Sequence, residues 1–372
     1  MSRIVDFFKA VSSDPKVRVA FQALFWAVVG AAVSYFGLQR PQPPQQQAPL
    51  IDSLEPVIGS QGWIEDPKEV DRIVAETKVH AFLETPAGKA LDSELPRSVY
   101  LWKAYEKIGL SRPAIKNQGS VGSCVAFGTA TAIERTIANS IALGKREHFK
   151  YLCEEAIYGG SRYEIGGGRI RGDGSIGAWA AKWVNRYGIL PRDKIRSYDL
   201  RQYDEARCRD WGRNGVPDDL EPDAKEHPVK DIALVGSWSE AKKALASGYG
   251  IAVCSNQGFS MTRDSRGVAR PQGQWAHCMC LDGYHVEPDG SEFGHITNSW
   301  GASAHRGPVG WGDPNPDGFW AEAKVIDRML RQGDSWAFSD VVGFPRKIVD
   351  WPAMREVRPR IGFDLVASFR GN

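Results

Sequence analysis

The pattern of hydrophobic and polar residues changes along the chain. Apolar residues three and four positions apart predict a helix over 124–143, with Ser123 as its N-cap, and a second helix over 176–188. From about residue 230 the apolar stretches become short and are separated by turn residues, which is typical of strands. The predicted strands lie at 231–238, 250–256, 276–286 and 293–301. Helices followed by strands indicate an α+β domain with two lobes.

An uncharged apolar stretch covers residues 19–38. It has about the 20 residues that a membrane-spanning helix needs, which favours a signal anchor. A cleaved signal peptide is the main alternative, although its apolar region is usually shorter and ends in small residues. Four basic residues precede the stretch, whereas only Arg40 follows it closely. Because positive charge stays on the cytoplasmic side, we expect a single-pass membrane protein with residues 1–18 cytoplasmic and the C-terminal part extracytoplasmic.

The regions after this stretch differ in composition. Residues 39–50 are rich in proline and glutamine and predict an extended linker. Residues 51–94 are acidic and show helical spacing in part, so they can be a stalk, an inhibitory prosegment or a scaffold. The predicted globular domain covers 95–372, with a helical lobe at about 115–229 and a strand-rich lobe at about 230–348.

Composition excludes some classes of partner. The net charge is +2 and no run of lysine and arginine dominates any stretch, which argues against a nucleic-acid partner. The six cysteines are too dispersed for a disulfide framework. Cys278 and Cys280 lie near His277 and His285, but a structural zinc site needs two separated pairs of ligands. We therefore expect no metal and no other cofactor.

Cys124 is the strongest candidate for a nucleophile. It follows a glycine-rich polar loop and opens the first predicted helix, whose positive end favours a thiolate. A nucleophilic thiol also needs a neighbouring imidazolium. Of the seven histidines, three on the predicted strands remain candidates: His277, His285 and His295.

Asn298 is the candidate orienting group. A catalytic imidazole needs a third residue that holds its ring, and an amide in the compact turn TNSWG suits that role. Trp300, two residues later, can shield the bond between amide and imidazole from water.

Several segments resemble the papain and cathepsin family of cysteine peptidases. QGSVGSCVAF is similar to the segment that carries the family's nucleophile, and HCMCLDGY to the strand that carries its histidine. NSWG at 298–301 and GWG at 310–312 follow in the family's order. The segment LPRSVYLWKAYEKIGLSRPAIKNQG, which begins at Leu95, resembles the start of the family's mature domain. The resemblance therefore covers about 95–345 and rests on five motifs.

The resemblance implies a papain-like fold with an active-site cleft between its lobes, and hydrolysis of peptide bonds in a peptide or protein substrate. Cys124 would be the nucleophile and His277 its ion-pair partner, acting as base and then as acid. Asn298 would orient the imidazole. Gln118 and the backbone N–H of Cys124 would stabilise the oxyanion. The product of the first step would be an acyl-enzyme.

The resemblance also implies a substrate-binding set, made of Gly174, Ser175, Ala276 and Trp300. Gly174 and Ser175 stand where the family hydrogen-bonds the substrate backbone, and Ala276 stands where it lines a specificity pocket. The small side chain of Ala276 would admit a bulky apolar residue two positions before the cut.

The chain departs from the family pattern at several positions. Val121 and Gly172 replace a cysteine pair, Val125 replaces a tryptophan, and the family's helical prodomain signature is missing from 51–94. The alternative function is a papain-fold module without activity, in a membrane or virion assembly. The four intact catalytic positions favour the enzyme.

Overall fold

A seven-stranded antiparallel sheet dominates the second half of the fold, in a computed structural model that describes residues 61–355. The strands in chain order are β1 (Ser98–Tyr100), β2 (Lys194–Ile195), β3 (Tyr198–Asp199), β4 (Asp231–Leu234), β5 (Ile251–Arg263), β6 (Ala269–Val286), β7 (Glu292–Thr297), β8 (Gly318–Glu322) and β9 (Ser335–Ser339). The sheet has the order β4-β9-β5-β6-β7-β8, and β1 also pairs with β6. Strands β2 and β3 form a separate small hairpin.

Most helices precede the large sheet. They are α1 (Pro67–Thr77), α2 (Lys103–Lys107), α3 (Cys124–Ala142), α4 (Glu154–Gly160), α5 (Gly177–Tyr187), α6 (Glu205–Asn214), α7 (Glu221–Lys225), α8 (Trp238–Ala246), α9 (Ala323–Leu330) and α10 (Trp351–Arg355). A π-helical turn at Ser161–Ile165 extends α4.

The central strand β6 is packed on both faces. Its residues 277–284 are all buried, because α3 covers one face and a second layer of apolar side chains covers the other. Gly128 of α3 lies so close to Cys278 that an added Cβ would be 2.9 Å from the Cys278 sulfur. This close approach brings the start of α3 to the strand that carries His277.

Apolar side chains form two large cores. One lies among the helices and includes Trp179 and Cys124, and the other lies behind the sheet and includes Met279. The N-terminal described residues contribute to both, because Trp63 belongs to the first core and Phe82 to the second. Residues 61–94 are therefore packed against the rest of the fold.

The predicted helices are confirmed with small changes. The first spans Cys124–Ala142 and the second Gly177–Tyr187. Gly188 has a φ of 87°, a left-handed conformation that suits glycine and ends the second helix. Ser123 stands at the predicted N-cap position, but its side chain makes no capping hydrogen bond.

The predicted strands are present, and the sheet is larger than predicted. Strands β5 and β6 extend well beyond the predicted bounds, because polar and exposed residues continue the pairing. Strands β1, β8 and β9 had no prediction, since three to five residues give too little alternation. The predicted membrane span at 19–38 and linker at 39–50 lie outside the described residues. Within 61–355, no helix has both the length and the apolar character to span a bilayer.

Candidate active site

Cys124 is the first residue of α3 and is completely buried. Burial raises the pKa of its thiol far above the ordinary value, and the neighbouring Cys278 raises it further. The backbone N–H groups of Cys278 and Val125 act in the opposite direction and lower it. The Cys124 sulfur thus lies beside Cys278, the residue that directly follows His277 on β6.

His277 lies on β6 with one ring nitrogen bonded and the other unbonded. Its Nε2 donates to Asn298 Oδ1 across 2.9 Å. Its Nδ1 is buried and has no hydrogen-bond partner within the described residues. Burial lowers the pKa of His277 to about 4, against the bond to Asn298, which raises it. The Trp300 ring stacks on the imidazole, with 4.5 Å between centroids and 26° between planes.

Ser299 links the predicted orienting residue to the predicted oxyanion donor. Its backbone N–H donates to Asn298 Oδ1 (2.7 Å), and its hydroxyl donates to Gln118 Oε1 (2.6 Å). The Gln118 amide nitrogen donates to the Val121 carbonyl, 2.9 Å away. The structure therefore brings Gln118 and Asn298 into one hydrogen-bonded group. No role was predicted for Ser299, although it lies inside the NSWG motif.

A second histidine contacts Asn298 from the other side. Asn298 Nδ2 lies 3.1 Å from His305 Nε2. His305 was not among the predicted site residues, because it lies in a loop rich in glycine, alanine, serine and proline. His305 follows Asn298 by only 7 positions in the sequence, and this short spacing is the signal that could have identified it.

The predicted substrate-binding residue Ser175 is already paired with the chain itself. We call residues 61–64 the groove segment. The backbone N–H of Ser175 donates to Gly62 O (2.8 Å), and the backbone N–H of Ile64 donates to Ser175 O (2.9 Å). This is a parallel bridge between Trp63 and Ser175. An added Cβ on Gly174 would be 2.9 Å from Gly62 O, so the groove segment also lies against Gly174.

Ala276 pairs with the same groove segment on the opposite side. Its carbonyl accepts from the backbone N–H groups of Gly62 and Trp63, both at 3.0 Å. Its own N–H donates to the side-chain oxygen of Gln61 (2.9 Å). The groove segment therefore fills the space between Ser175 and Ala276, where the family resemblance places a substrate.

The Trp63 side chain is buried and bonded at its polar end. Its indole N–H donates to Asp334 Oδ2 across 2.8 Å. Asp334 also accepts from the backbone N–H of Gly177 (2.7 Å) and from the Trp336 indole (2.8 Å). Burial raises the pKa of Asp334 to about 6, although these bonds lower it.

An arginine holds the loop at Gly172, the position where the family has one cysteine of a disulfide bridge. The buried guanidinium of Arg162 donates to the carbonyl oxygens of Ile170, Gly172 and Gly174. It thereby fixes the loop that ends at Gly174, while Val121 is simply buried.

All six cysteines of the chain are free and buried. Cys254 and Cys278 face each other on β5 and β6 with their sulfurs 2.7 Å apart.

No metal site is predicted from the sequence. Among residues 61–355, no group of three or more histidine, cysteine, aspartate or glutamate side chains could hold an ion. His285, near Cys280 in sequence, instead stacks on Trp311 with 4.7 Å between ring centroids.

The family profile described as papain family cysteine protease matches residues 102–313, more than half of the chain. The chain belongs to the papain family of cysteine proteases. It is a hydrolase that cleaves peptide bonds, with a papain-like two-lobed α+β fold. A search of curated protein sequences gives no match to it.

Solved structures of cysteine proteases are similar in fold. Xylellain from Xylella fastidiosa is 19% identical, with a TM-score of 0.52 over 77% of this chain and 98% of its own. Digestive procathepsin L 3 from Tenebrio molitor is 14% identical (TM-score 0.41, 88% and 93% covered). Bromelain from Ananas comosus, in complex with the inhibitor E64, is 17% identical (TM-score 0.41, 66% and 99% covered). The likeness to xylellain shows the shared fold.

Proposed function

We propose that this papain-family protein is an endopeptidase in which Cys124, His277, Asn298 and Gln118 perform the reaction. The observation that carries the proposal is the environment of His277. One ring nitrogen is held by Asn298, and the other is buried without a partner in the described part of the chain. The Cys124 sulfur lies beside the next residue on the strand. A nucleophilic thiol needs a base of this kind, held on one side of the ring and open on the other.

The reaction follows from these positions. His277 Nδ1 accepts the thiol proton of Cys124, and the sulfur attacks the peptide carbonyl. Gln118 Nε2 and the Cys124 backbone N–H donate to the developing oxyanion, and one such donor contributes about 3 kcal/mol. His277 then protonates the leaving amine, and water hydrolyses the acyl-enzyme. Asn298 keeps the imidazole in the tautomer with a proton on Nε2.

We further propose that the described form is closed to substrate. Of the three roles considered for residues 51–94, this proposal favours the inhibitory prosegment. The groove segment occupies the hydrogen-bonding positions of Ser175 and Ala276. A covered site also lacks water around Cys124 and His277, and burial then favours the uncharged thiol and imidazole. Displacement of the groove segment would admit both water and substrate, and the ion pair could form.

The membrane anchor remains a proposal based on residues 19–38 and the basic residues before them. In this proposal the catalytic domain is extracytoplasmic. Protease protection in sealed vesicles with the full chain tests it. A catalytic domain that is accessible only from the cytoplasmic side would contradict this orientation.

The catalytic proposal is tested with an epoxysuccinyl thiol probe on the full chain. The wild type should be labelled at Cys124, slowly because the groove segment must first be displaced, and Cys124→Ala and His277→Ala should not be labelled. Cys153→Ala is the matched control, since Cys153 is equally buried but lies away from the proposed site, bonded to Glu155. Equal labelling of wild type and His277→Ala would show that the reactive thiol needs no imidazole and would overturn the proposal.

A further inference from the structure

The contact between Asn298 and His305 has a defined direction. The backbone N–H of Ser299 donates to one side-chain atom of Asn298, so that atom is the amide oxygen. The other atom is therefore the amide nitrogen, which faces His305 Nε2 at 3.1 Å. The amide nitrogen can only donate, so His305 Nε2 must accept.

His305 is suited to accept this bond because it stays uncharged. The ring is 3% exposed, and burial lowers its pKa to about 3. The nearby Arg263 and His277 also lower the pKa of His305, and the Ser260 backbone raises it. At neutral pH the proton of His305 therefore lies on Nδ1 and the lone pair of Nε2 points at Asn298.

The loop that carries His305 is held in place by Arg263, at the end of β5. The guanidinium donates to four backbone carbonyls of the 305–318 region, those of His305, Gly307, Pro316 and Gly318. The backbone N–H of Arg263 also donates to Arg306 O (2.8 Å). The Phe319 ring packs on the His305 ring, with 4.6 Å between centroids. The position of the acceptor is therefore fixed from several directions.

We propose that His305 is a positioning residue of the peptidase, which acts through Asn298 to hold His277 in its reactive orientation. The inference rests on the proposed function of Asn298 and His277. Without an acceptor at position 305, the buried Asn298 N–H has no partner among residues 61–355. Rotation of the amide would turn Nδ2 toward the Ser299 N–H, which is itself a donor, and toward His277 Nε2, which accepts only in the other tautomer of the ring. By accepting from Nδ2, His305 favours the amide orientation of Asn298 in which Oδ1 faces His277.

A pair of substitutions separates this role from simple packing. His305→Phe keeps a ring against Phe319 but removes the acceptor, whereas His305→Gln keeps an acceptor but removes the ring. We expect kcat on labelled denatured casein to fall about tenfold or more in the Phe variant, with KM nearly unchanged, and to stay within about threefold in the Gln variant. If His305 acts only through packing, kcat should fall more in the Gln variant than in the Phe variant. His305→Met, which also lacks a strong acceptor, serves if the Phe variant does not fold.

A double substitution tests the path through Asn298. In an Asn298→Ala background, His305→Phe should cause no further loss of kcat or of the rate of Cys124 alkylation by iodoacetamide. Additive losses, or a Phe variant as active as the Gln variant, would overturn the inference. A wild-type chain whose Cys124 is alkylated no faster than Cys124 in the His277→Ala variant would instead overturn the proposed function. The full chain is used in every arm.

Discussion

The Trp63 indole donates a 2.8 Å hydrogen bond to Asp334, a residue 271 positions later in the chain. This bond fastens the groove segment at its side chain, while the bonds to Ser175 and Ala276 fasten it at its backbone. The Asp334 carboxylate is also bonded to the first residue of α5. The groove segment is therefore attached to α5, the element that follows the predicted substrate-binding residues Gly174 and Ser175.

Loss of the Trp63 side chain should open the groove. A Trp63→Ala substitution removes both the buried indole and its bond to Asp334, and the backbone pairing alone holds a short segment weakly. We expect Cys124 of this variant to react with an epoxysuccinyl probe at least about tenfold faster than in the wild type. Trp63→Phe, which keeps most of the apolar area, should lie between them.

Val342→Ala is the control for this prediction, since Val342 is largely exposed and should not affect the labelling rate. A Trp63→Ala chain that is labelled at the wild-type rate would show that the groove segment does not limit access to Cys124.

Removal of the Phe82 side chain should destabilise the whole domain. Phe82 is fully buried in the core behind the sheet, and its ring packs edge-on against Phe344 at 5.5 Å. A Phe82→Ala substitution should lower the free energy of unfolding by about 3–5 kcal/mol, measured in urea. Leu83→Ala is the matched control, because Leu83 is 45% exposed and its truncation should change the value by less than about 0.5 kcal/mol. Equal stability of both variants would mean that residues 61–94 are not part of the cooperative unit.

Candidate site residues could be selected from the sequence, whereas the groove segment that lies beside them could not. Cys124 and Asn298 were identified because a nucleophile needs a helix start and an orienting amide, and both leave a local motif. His277 needed the family resemblance to be separated from His285 and His295. The bonds of the groove segment join positions more than a hundred residues apart and leave no periodic pattern.

The contacts of His305 and Arg162 could not be predicted from the sequence either. Each makes bonds that depend on the course of an irregular loop, to Asn298 in one case and to Gly174 in the other. Spacing rules describe helices and strands, whereas loop geometry is set by tertiary contacts. The exact pairing of β5 with β6 was likewise beyond prediction, because exposed polar residues continue both strands.

Loss of the Arg162 guanidinium should affect substrate binding more than chemistry. Arg162 fixes the carbonyls of Gly172 and Gly174, and so it fixes the backbone that precedes Ser175. Arg162→Lys keeps the charge but supplies no planar set of donors, so several buried carbonyls lose their partner. We expect KM for a peptide to rise by about tenfold or more, with a smaller fall in kcat. Arg171→Lys, in the same loop, is the control. A fall in kcat with unchanged KM would contradict the assignment of Gly174 and Ser175 to substrate binding.

The stability of the closed form should depend on pH through His277. The pKa of this histidine is about 4 in the folded chain, against an ordinary value of 6.5. The unfolded chain therefore binds a proton below pH 6.5 that the folded chain does not bind until about pH 4, and stability is lost as the pH falls through this window. From the two pKa values, His277 should lower the free energy of unfolding by about 3 kcal/mol between pH 7.5 and pH 4. Urea denaturation of the wild type and of His277→Gln over this range isolates the effect, because all other titrating groups are shared. The gap between the two curves should change by about that amount, whereas parallel curves would mean that His277 is not buried as a neutral ring.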